Sequence, residues 1–474
     1  MRAAGFCHHL LTQATLAAWM AGRSSVAGRK DRDVRGDVLE GFAIGSEKGG
    51  IMRGLNMLLS ASALAAVATP ALAQDVVLKP IIEARLRYET VDQDGPLPLT
   101  SSRDADAVTV RLRAGGELSR GPFAFLAEGE GTLAIDEHYN SGVNGKTLYP
   151  IVADPQTVEL NRLQLQYRTK PLIITLGRQR INLDDQRFVG SVAWRQNEQT
   201  FDALRVEYMG IKDLKVDMTY AIAARTIWGV DGGKFGAVSR PAEIEGDDVF
   251  LNISYKTKLG TLTGFAYLID EDEPVAALLR NSSQTYGARF AGAVPVAKKV
   301  KLSYLASYAR QSDYAKNPVD YSADYVAAEL GLEVASFKVT GGYELLGSDS
   351  GATGVAGGFA FQTPFATLHK FNGWADKFLT TPATGIQDYY GGIAYTVPKI
   401  GKSGPLVASF IYHHLSSDRL SIHYGDEYNA QVTWKIDKHL SALVKYADYQ
   451  RKGISSFAGD ADTRKFWAQI DYAL

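Results

Sequence analysis

The stretch that decides the fold is residues 82–89, IEARLRYE, in which apolar and charged side chains alternate at every position. Successive side chains of a β-strand point to opposite faces, so this stretch predicts a strand with one apolar and one charged face. The same period returns at residues 108–114, 162–168, 214–222, 427–434 and 466–474. The chain is therefore predicted to be all-β.

The predicted strands are long, and the connections between them alternate in length. Most segments exceed the usual strand of about five or six residues and suit a tilted membrane strand of about 9–11. They lie at 79–92, 106–119, 122–135, 157–169, 171–180, 201–209, 213–227, 246–258, 260–270, 283–295, 298–311, 322–333, 335–346, 385–398, 404–416, 424–436, 438–451 and 462–474. Every second connection is tight, and the others are mostly long. This pattern predicts a transmembrane antiparallel up-and-down β-barrel of about 18 strands with long extracellular loops, some folding into the lumen.

The N-terminal region reads as targeting sequence rather than as fold. Residues 52–73 combine Arg53, a short apolar stretch and the Ala71-Leu72-Ala73 motif, which is typical of a secretory signal peptide cleaved near Ala73-Gln74. Since a signal peptide works at a chain start, residues 1–51 are interpreted as a mis-assigned, disordered extension. Residues 74–474 would then form an outer-membrane β-barrel in the bacterial outer membrane.

Composition narrows the function classes. Hydrophobic residues make up 46% and charged residues 22% of the chain, which excludes wholesale disorder. A single cysteine excludes a disulfide scaffold and a multi-cysteine metal site. Residues 74–474 carry 43 Lys and Arg against 47 Asp and Glu, so no overall charge points to nucleic acid. Any attraction for anions must come from local placement of basic residues.

If the apolar faces meet lipid, the charged faces line the lumen, and basic residues crowd its first half. Rings of Arg or Lys select anions in pores, and guanidinium groups bind carboxylates in a bidentate manner. The predicted substrate path consists of Arg85, Arg87, Arg111, Arg113, Arg162, Arg178, Arg180, Arg187, Arg195 and Arg205. The alternative is a charge lattice in which lumen acids neutralise these arginines and stiffen the wall.

A second dense stretch, residues 363–377, is too apolar for a free surface loop. It reads TPFATLHKFNGWADK and is expected to pack inward as a plug or constriction. The residues expected to form this constriction loop are His369, Trp374, Asp376 and Lys377.

Two motifs resemble the alginate export family of outer-membrane porins. They are GRQRINLDDQRFVGSVAWRQNEQTFDALRV at 177–206 and TPFATLHKFNGWADKF at 363–378, and the similarity extends over most of residues 80–474. The resemblance implies an 18-stranded barrel that exports an anionic polysaccharide through an arginine-lined constriction. Arg178, Arg180, Arg187 and Arg195 are the matching basic positions.

The sequence thus predicts an outer-membrane channel that passes an anionic polysaccharide or acidic oligosaccharide, and not an enzyme. The alternative is a general or small-anion diffusion porin. A barrel-embedded hydrolase would need a clustered nucleophile and base, and residues 74–474 contain neither HExxH nor GxSxG. A secreted carbohydrate-binding β-sandwich is a further alternative. Such a protein would be soluble without detergent.

The expected partners are an anionic glycan as solute and outer-membrane lipid, with periplasmic export or uptake components left open. No nucleic acid, cofactor or metal is predicted. The adjacent Asp184 and Asp185 leave a Ca²⁺ site as an alternative, although such a pair more often contacts solvent or arginine.

Overall fold

The computed structural model describes residues 76–94, 104–236, 239–272, 275–452 and 461–474. The predicted extension at 1–51, the signal peptide at 52–73 and its cleavage site therefore lie outside the described residues. No helix in the described part of the chain is long and apolar enough to cross a membrane.

Eighteen long strands form one antiparallel sheet, and two short strands pair inside a loop. The strands are β1 (Val77–Asp94), β2 (Asp104–Arg120), β3 (Phe123–His138), β4 (Thr157–Arg168), β5 (Leu172–Gln179), β6 (Thr200–Tyr208), β7 (Leu214–Arg225), β8 (Glu243–Lys256), β9 (Thr261–Ile269), β10 (Ser283–Ala297), β11 (Val300–Asp313), β12 (Ser322–Val334), β13 (Phe337–Leu346), β14 (Ser348–Asp349), β15 (Phe359–Ala360), β16 (Ile386–Val397), β17 (Leu406–Ser416), β18 (His423–Lys435), β19 (Leu440–Arg451) and β20 (Asp462–Ala473).

The long strands close into a barrel because the last one pairs with the first. Leu86 of β1 lies opposite Val110 of β2 on one side and opposite Ile470 of β20 on the other. Closure leaves no open sheet edge, which is the condition for a β-sheet to span lipid. The predicted 18-stranded transmembrane barrel is confirmed, and each predicted span matches one barrel strand to within three residues at either end.

The connections sort into two ends of the barrel, as the pattern predicts. The short-turn end carries tight connections such as 121–122, 169–171, 298–299 and 335–336. The long-loop end carries the long ones, notably 139–156, 180–199, 226–242 and 347–385. Strands β14 and β15 belong to the last of these loops. They have only two residues each, which is too few for an alternating pattern to predict them.

The outer face of the wall is apolar and the inner face is closely packed. Leu86 and Ile470 point outward and keep 46% and 49% of their surface exposed, whereas Arg87, one residue along β1, is fully buried. In a bilayer the outward side chains meet lipid tails, so their exposure to solvent in the isolated chain is the expected mark of a membrane barrel.

The inner face is not uniformly charged. On β8 to β12 the inward positions near the long-loop end carry aromatic side chains, including Phe250, Phe265, Tyr267 and Tyr325. The rings of Phe265, Tyr267 and Tyr325 contact Phe188 from the loop 180–199, at centroid distances of 5.1, 5.6 and 5.2 Å. An apolar cluster therefore lies inside the lumen, because the loops that enter it bring apolar groups that must be buried there.

Candidate functional site

Two loops enter the lumen from the long-loop end and pack against each other. Inner loop 1 (residues 180–199) joins β5 to β6, and inner loop 2 (residues 347–385) joins β13 to β16. The Gly190 amide donates to the Phe365 carbonyl oxygen at 2.9 Å, and Gln199 Nε2 donates to the same oxygen at 3.1 Å. The two motifs that sequence analysis singled out therefore form one unit.

A buried charge network anchors inner loop 2 to the barrel wall. The Asp376 carboxylate lies 2.8 Å from the Arg195 guanidinium, 3.0 Å from Lys465 Nζ and 2.7 Å from His369 Nδ1. Lys445 Nζ on β19 lies 2.7 Å from His369 Nε2. The ring thus accepts at Nε2 and donates from Nδ1, which is the neutral tautomer.

The surroundings of His369 and Asp376 lower the pKa of both groups. Burial lowers the pKa of His369 well below its usual range, because the charged ring would lose its hydration. Burial alone would raise the pKa of Asp376, but the adjoining His369, Lys465 and Arg195 outweigh it and lower that pKa well below its usual range. The site therefore holds a neutral imidazole beside an ionised carboxylate.

Aromatic rings enclose the lysine of this network. Trp194 of inner loop 1 stacks on His369 with centroids 4.4 Å apart and planes 4° apart. Lys445 Nζ lies 3.7 Å from the ring centroid of Trp374 and 4.3 Å from that of Trp194. Trp467 on β20 closes the group, 5.6 Å from Lys445. Cation–π attraction thus replaces part of the water that Lys445 loses.

The Trp374 segment is fixed by its backbone. The amide of Ala375 donates to Glu427 Oε1 on β18 at 2.8 Å, and the amide of Trp374 donates to the same oxygen. Gly373 has a φ of 88°, and a Cβ there would lie 2.2 Å from the Glu427 carboxylate. Glycine suits this position because it tolerates the left-handed backbone and leaves room for the Glu427 carboxylate.

Arg187 joins both inner loops to the opposite wall. Its guanidinium donates to Glu344 on β13 at 2.7 Å, to Thr363 at 3.0 Å and to Asn372 at 3.2 Å. The Phe371 ring centroid lies 4.8 Å from its central carbon. All five groups lie within the lumen, and Arg187 is buried.

Every arginine of the predicted substrate path lies in the lumen and faces a carboxylate. The pairs are Arg85–Asp471, Arg87–Asp154, Arg111–Glu83, Arg113–Glu130, Arg162–Glu128, Arg178–Asp202, Arg180–Glu198, Arg187–Glu344, Arg195–Glu89 and Arg205–Asp217. Most of the positive charge of this set is compensated within the wall and the inner loops. Their role in a substrate path stays a prediction.

The strongest pairs are bidentate. Arg162 donates to both oxygens of Glu128 at 2.9 and 2.6 Å, and Arg178 donates to both oxygens of Asp202 at 2.8 and 2.9 Å. Arg111 differs, because its Nε and one terminal nitrogen are buried with no hydrogen-bond partner in the described residues.

The other sequence-derived positions have protein partners. Lys377 Nζ donates to Thr463 Oγ1 at 3.0 Å. Asp185 lies 3.1 Å from Arg289, and Asp184 accepts from Asn252 at 2.8 Å. The aspartate pair thus contacts arginine and amide groups.

A cavity of 870 Å³ lies beside the inner loops, among residues of the long-loop end. Its basic lining residues are Arg195, Arg240, Arg280, Lys377 and Lys465. Asp376 is the one carboxylate among its lining residues that the structure describes, and it already faces two of these cations. We call this cavity the vestibule.

Three vestibule cations, Arg240, Arg280 and Lys465, and the buried Lys445 were not predicted from the sequence. Lys445 and Lys465 occupy inward positions of β19 and β20, where strand alternation alone would have placed them in the lumen. Arg240 and Arg280 lie in connections, where no periodicity indicates a direction.

The family model described as alginate export matches residues 79–225, from β1 to the end of β7. The first seven strands of this 18-stranded barrel are therefore similar to the alginate export family. The match includes the motif at 177–206 and stops before the one at 363–378. No curated protein matches the sequence.

Solved porins share this barrel at low sequence identity. OpdQ of Pseudomonas aeruginosa is 14% identical with a TM-score of 0.58, covering 84% of this chain and 97% of its own. OccAB2 of Acinetobacter baumannii is 14% identical with a TM-score of 0.61, covering 84% and 98%. OpdK of Pseudomonas aeruginosa, solved with vanillate, is 13% identical with a TM-score of 0.57, covering 84% and 98%. The fold points to the bacterial outer membrane, and the families compared are channels rather than enzymes.

Proposed function

We propose that this porin passes anionic solutes across the outer membrane, with acidic oligosaccharides or segments of an anionic polysaccharide as the preferred class. The single observation that carries the proposal is the charge of the vestibule, whose described lining includes five cations and one carboxylate. A local excess of one charge sign in a cleft with low-dielectric walls concentrates ions of the opposite sign.

Two of these cations have no acidic partner among the residues that the structure describes. Neither Arg240 nor Arg280 forms an ion pair in the described part of the chain, and Arg280 Nε is buried without a hydrogen-bond partner. A guanidinium group offers two parallel N–H donors that match the two oxygens of a carboxylate. These two arginines, rather than the compensated wall arginines, are the preferred contacts for a uronate.

The apolar part of the vestibule supports a ring-bearing solute. Ile151, Trp228 and Leu278 line the same space as the arginines. The Arg240 guanidinium carbon lies 5.0 Å from the Trp228 ring centroid, so charge and an aromatic face are adjacent. Sites that combine an apolar wall with a few polar groups are typical for small organic ligands.

A small carboxylate is the second candidate, and the cavity volume favours it. The 870 Å³ of the vestibule lies within the range of about 300–1,000 Å³ for small-molecule sites. A polymer would have to thread through this space a few residues at a time. The vanillate complex of OpdK supports an aromatic acid in a barrel of this fold.

Planar-bilayer recording of the purified protein under a salt gradient tests the proposal. We expect the reversal potential to report anion selectivity, and an oligouronate to block the current at concentrations where a neutral oligosaccharide of equal length does not. Block by a monomeric carboxylate but not by the oligouronate would favour the second candidate. A current without anion selectivity would contradict both.

Matched variants locate the selectivity. Replacing Arg240 and Arg280 by Gln removes two vestibule charges and is expected to lower anion selectivity and oligouronate block. Arg310→Gln is the control, because Arg310 is exposed and paired with Asp324 outside the lumen. Equal reversal potentials for the double variant and the control would contradict the role of the vestibule. Periplasmic partner components stay a prediction.

A further inference from the structure

A second polar cluster lies on the outer face of the barrel, away from the lumen. His414 of β17 and Asp426 of β18 are direct cross-strand partners, and His423 begins β18 across the loop 417–422. His414 Nδ1 lies 3.0 Å from Asp426 Oδ1, and His423 Nε2 lies 3.2 Å from the same oxygen. The two imidazole centroids are 4.3 Å apart.

The cluster faces outward. His414 contacts the ring of Tyr389, and Tyr389 is 49% exposed. The neighbouring His413 points the other way, into the lumen, where it lies 2.9 Å from Asp388. The outward cluster is therefore separated from the permeation path by the wall itself.

We propose that His414, His423 and Asp426 bind one transition-metal ion of the Zn²⁺ type. Imidazole and carboxylate are ordinary zinc ligands, with metal–ligand distances of about 2.0–2.2 Å. Ligands at such distances in a tetrahedron lie about 3.3–3.6 Å from one another. The two separations from Asp426, 3.0 and 3.2 Å, are close to that edge length, and all three ligand atoms lie within 4.8 Å of one another.

The ligand atoms are already turned toward one point. Three groups converge on Asp426 Oδ1, because the Tyr412 hydroxyl also donates to it at 2.9 Å. Without a metal, protons on the imidazole nitrogens supply these contacts. A metal ion would take the place of the protons at these two nitrogens, with each neutral ring carrying its proton on the other nitrogen, and the Tyr412 hydrogen bond would still orient the carboxylate. Three protein ligands leave a fourth position for water.

The bound ion would join the ends of two neighbouring strands. His414 lies near the end of β17, whereas His423 and Asp426 lie among the first four residues of β18. A metal bridge would fix the loop 417–422 at the long-loop end. This role is independent of which solute the channel passes.

Zinc uptake by the purified full chain, isolated without a polyhistidine tag, tests the site. The protein in detergent is equilibrated with ZnCl₂, freed of unbound metal and analysed for bound zinc, and CoCl₂ serves as the optical probe of coordination. We expect uptake that requires both histidines, with a cobalt visible band typical of four-coordinate geometry. Replacing His414 and His423 by Ala should weaken uptake by more than about tenfold, since even loss of a supporting contact costs that much.

His138→Ala is the matched control, because His138 is exposed and faces one carboxylate, Asp136, at 2.5 Å, with no second histidine beside it in the described residues. We expect its zinc uptake and cobalt spectrum to equal those of the wild type. His414→Cys supplies another zinc ligand and should retain uptake. If the wild type and the double alanine variant take up the same zinc and give the same cobalt spectrum, the metal site is wrong and the cluster is only a hydrogen-bond network.

Discussion

Asp376 of inner loop 2 lies 2.8 Å from the guanidinium group of Arg195 of inner loop 1. Arg195 in turn lies 3.1 Å from Glu89 on β1. Both loops are thus fastened to each other and to the wall by one buried arginine. Because an unpaired buried charge is costly, this chain of contacts holds together only while each member keeps its partner.

Asp376→Asn should loosen inner loop 2. The substitution leaves Arg195 and Lys465 buried with less negative charge nearby, and loss of one partner of a buried pair costs about 3–5 kcal/mol. We expect lower stability to urea in detergent and larger, noisier single-channel currents. Asp272→Asn is the control, because Asp272 forms an exposed ion pair with Lys316 and should change neither quantity. Identical recordings for both variants would show that Asp376 does not hold the loop.

The barrel could be predicted from the sequence because the wall follows one rule throughout. On β1, Leu86 faces outward and Arg87 inward, as alternation requires. The contents of the lumen follow no such rule. Phe265 and Tyr267 are aromatic residues of β9, yet they point inward and pack against Phe188. That choice of face is decided by a loop distant in sequence.

Gly373→Ala should displace Trp374 from the wall. A side chain at this left-handed position carries strain of about 1–3 kcal/mol, and its Cβ would also lie 2.2 Å from the Glu427 carboxylate. Gly357→Ala, in the same loop, has a φ of 86° but no atom within 4 Å of the added Cβ. We therefore expect Gly373→Ala to raise conductance and Gly357→Ala to leave it nearly unchanged. Equal effects would mean that the Glu427 contact does not position the loop.

Arg187 and Glu344 should behave as a coupled pair. Arg187→Met removes the cation 2.7 Å from Glu344 and is expected to destabilise the protein by about 3–5 kcal/mol, because the buried carboxylate loses its counter-charge. Adding Glu344→Gln removes that charge and should recover much of the loss. Reversible urea unfolding of the two single variants and the double variant measures the coupling. Additive losses would contradict the pairing.

The sequence indicated the loop residues of the candidate site but not the strand residues that they contact. Arg187 and Asp376 stood in motifs whose density of charged and aromatic groups indicated packing. Their partners, Glu344 and Lys465, lie on strands 157 and 89 residues away along the chain. Alternation indicates that a strand residue faces the lumen, but only the closed barrel decides which loop residue it meets.

We expect acidic pH to displace inner loop 2 from the lumen wall, because His369 becomes protonated. Burial lowers the pKa of His369 well below its ordinary value, whereas the ring of a displaced loop would titrate near about 6.5. Protonation of His369 therefore favours the displaced loop. The packing of inner loop 2 in the lumen is fully stable above about pH 6.5 and weakens as the pH falls below that value.

The low pKa of Asp376 acts in a separate window. Its contribution is present above about 3.9, the value for a free aspartate, and is lost only as the pH falls further. We expect hydrogen–deuterium exchange of residues 363–377, corrected for intrinsic rates, and channel noise to increase between about pH 7 and pH 5 in the wild type. His369→Gln keeps a polar side chain that does not titrate, so its exchange should be constant over that range. An unchanged pH response in this variant would assign the effect to another group.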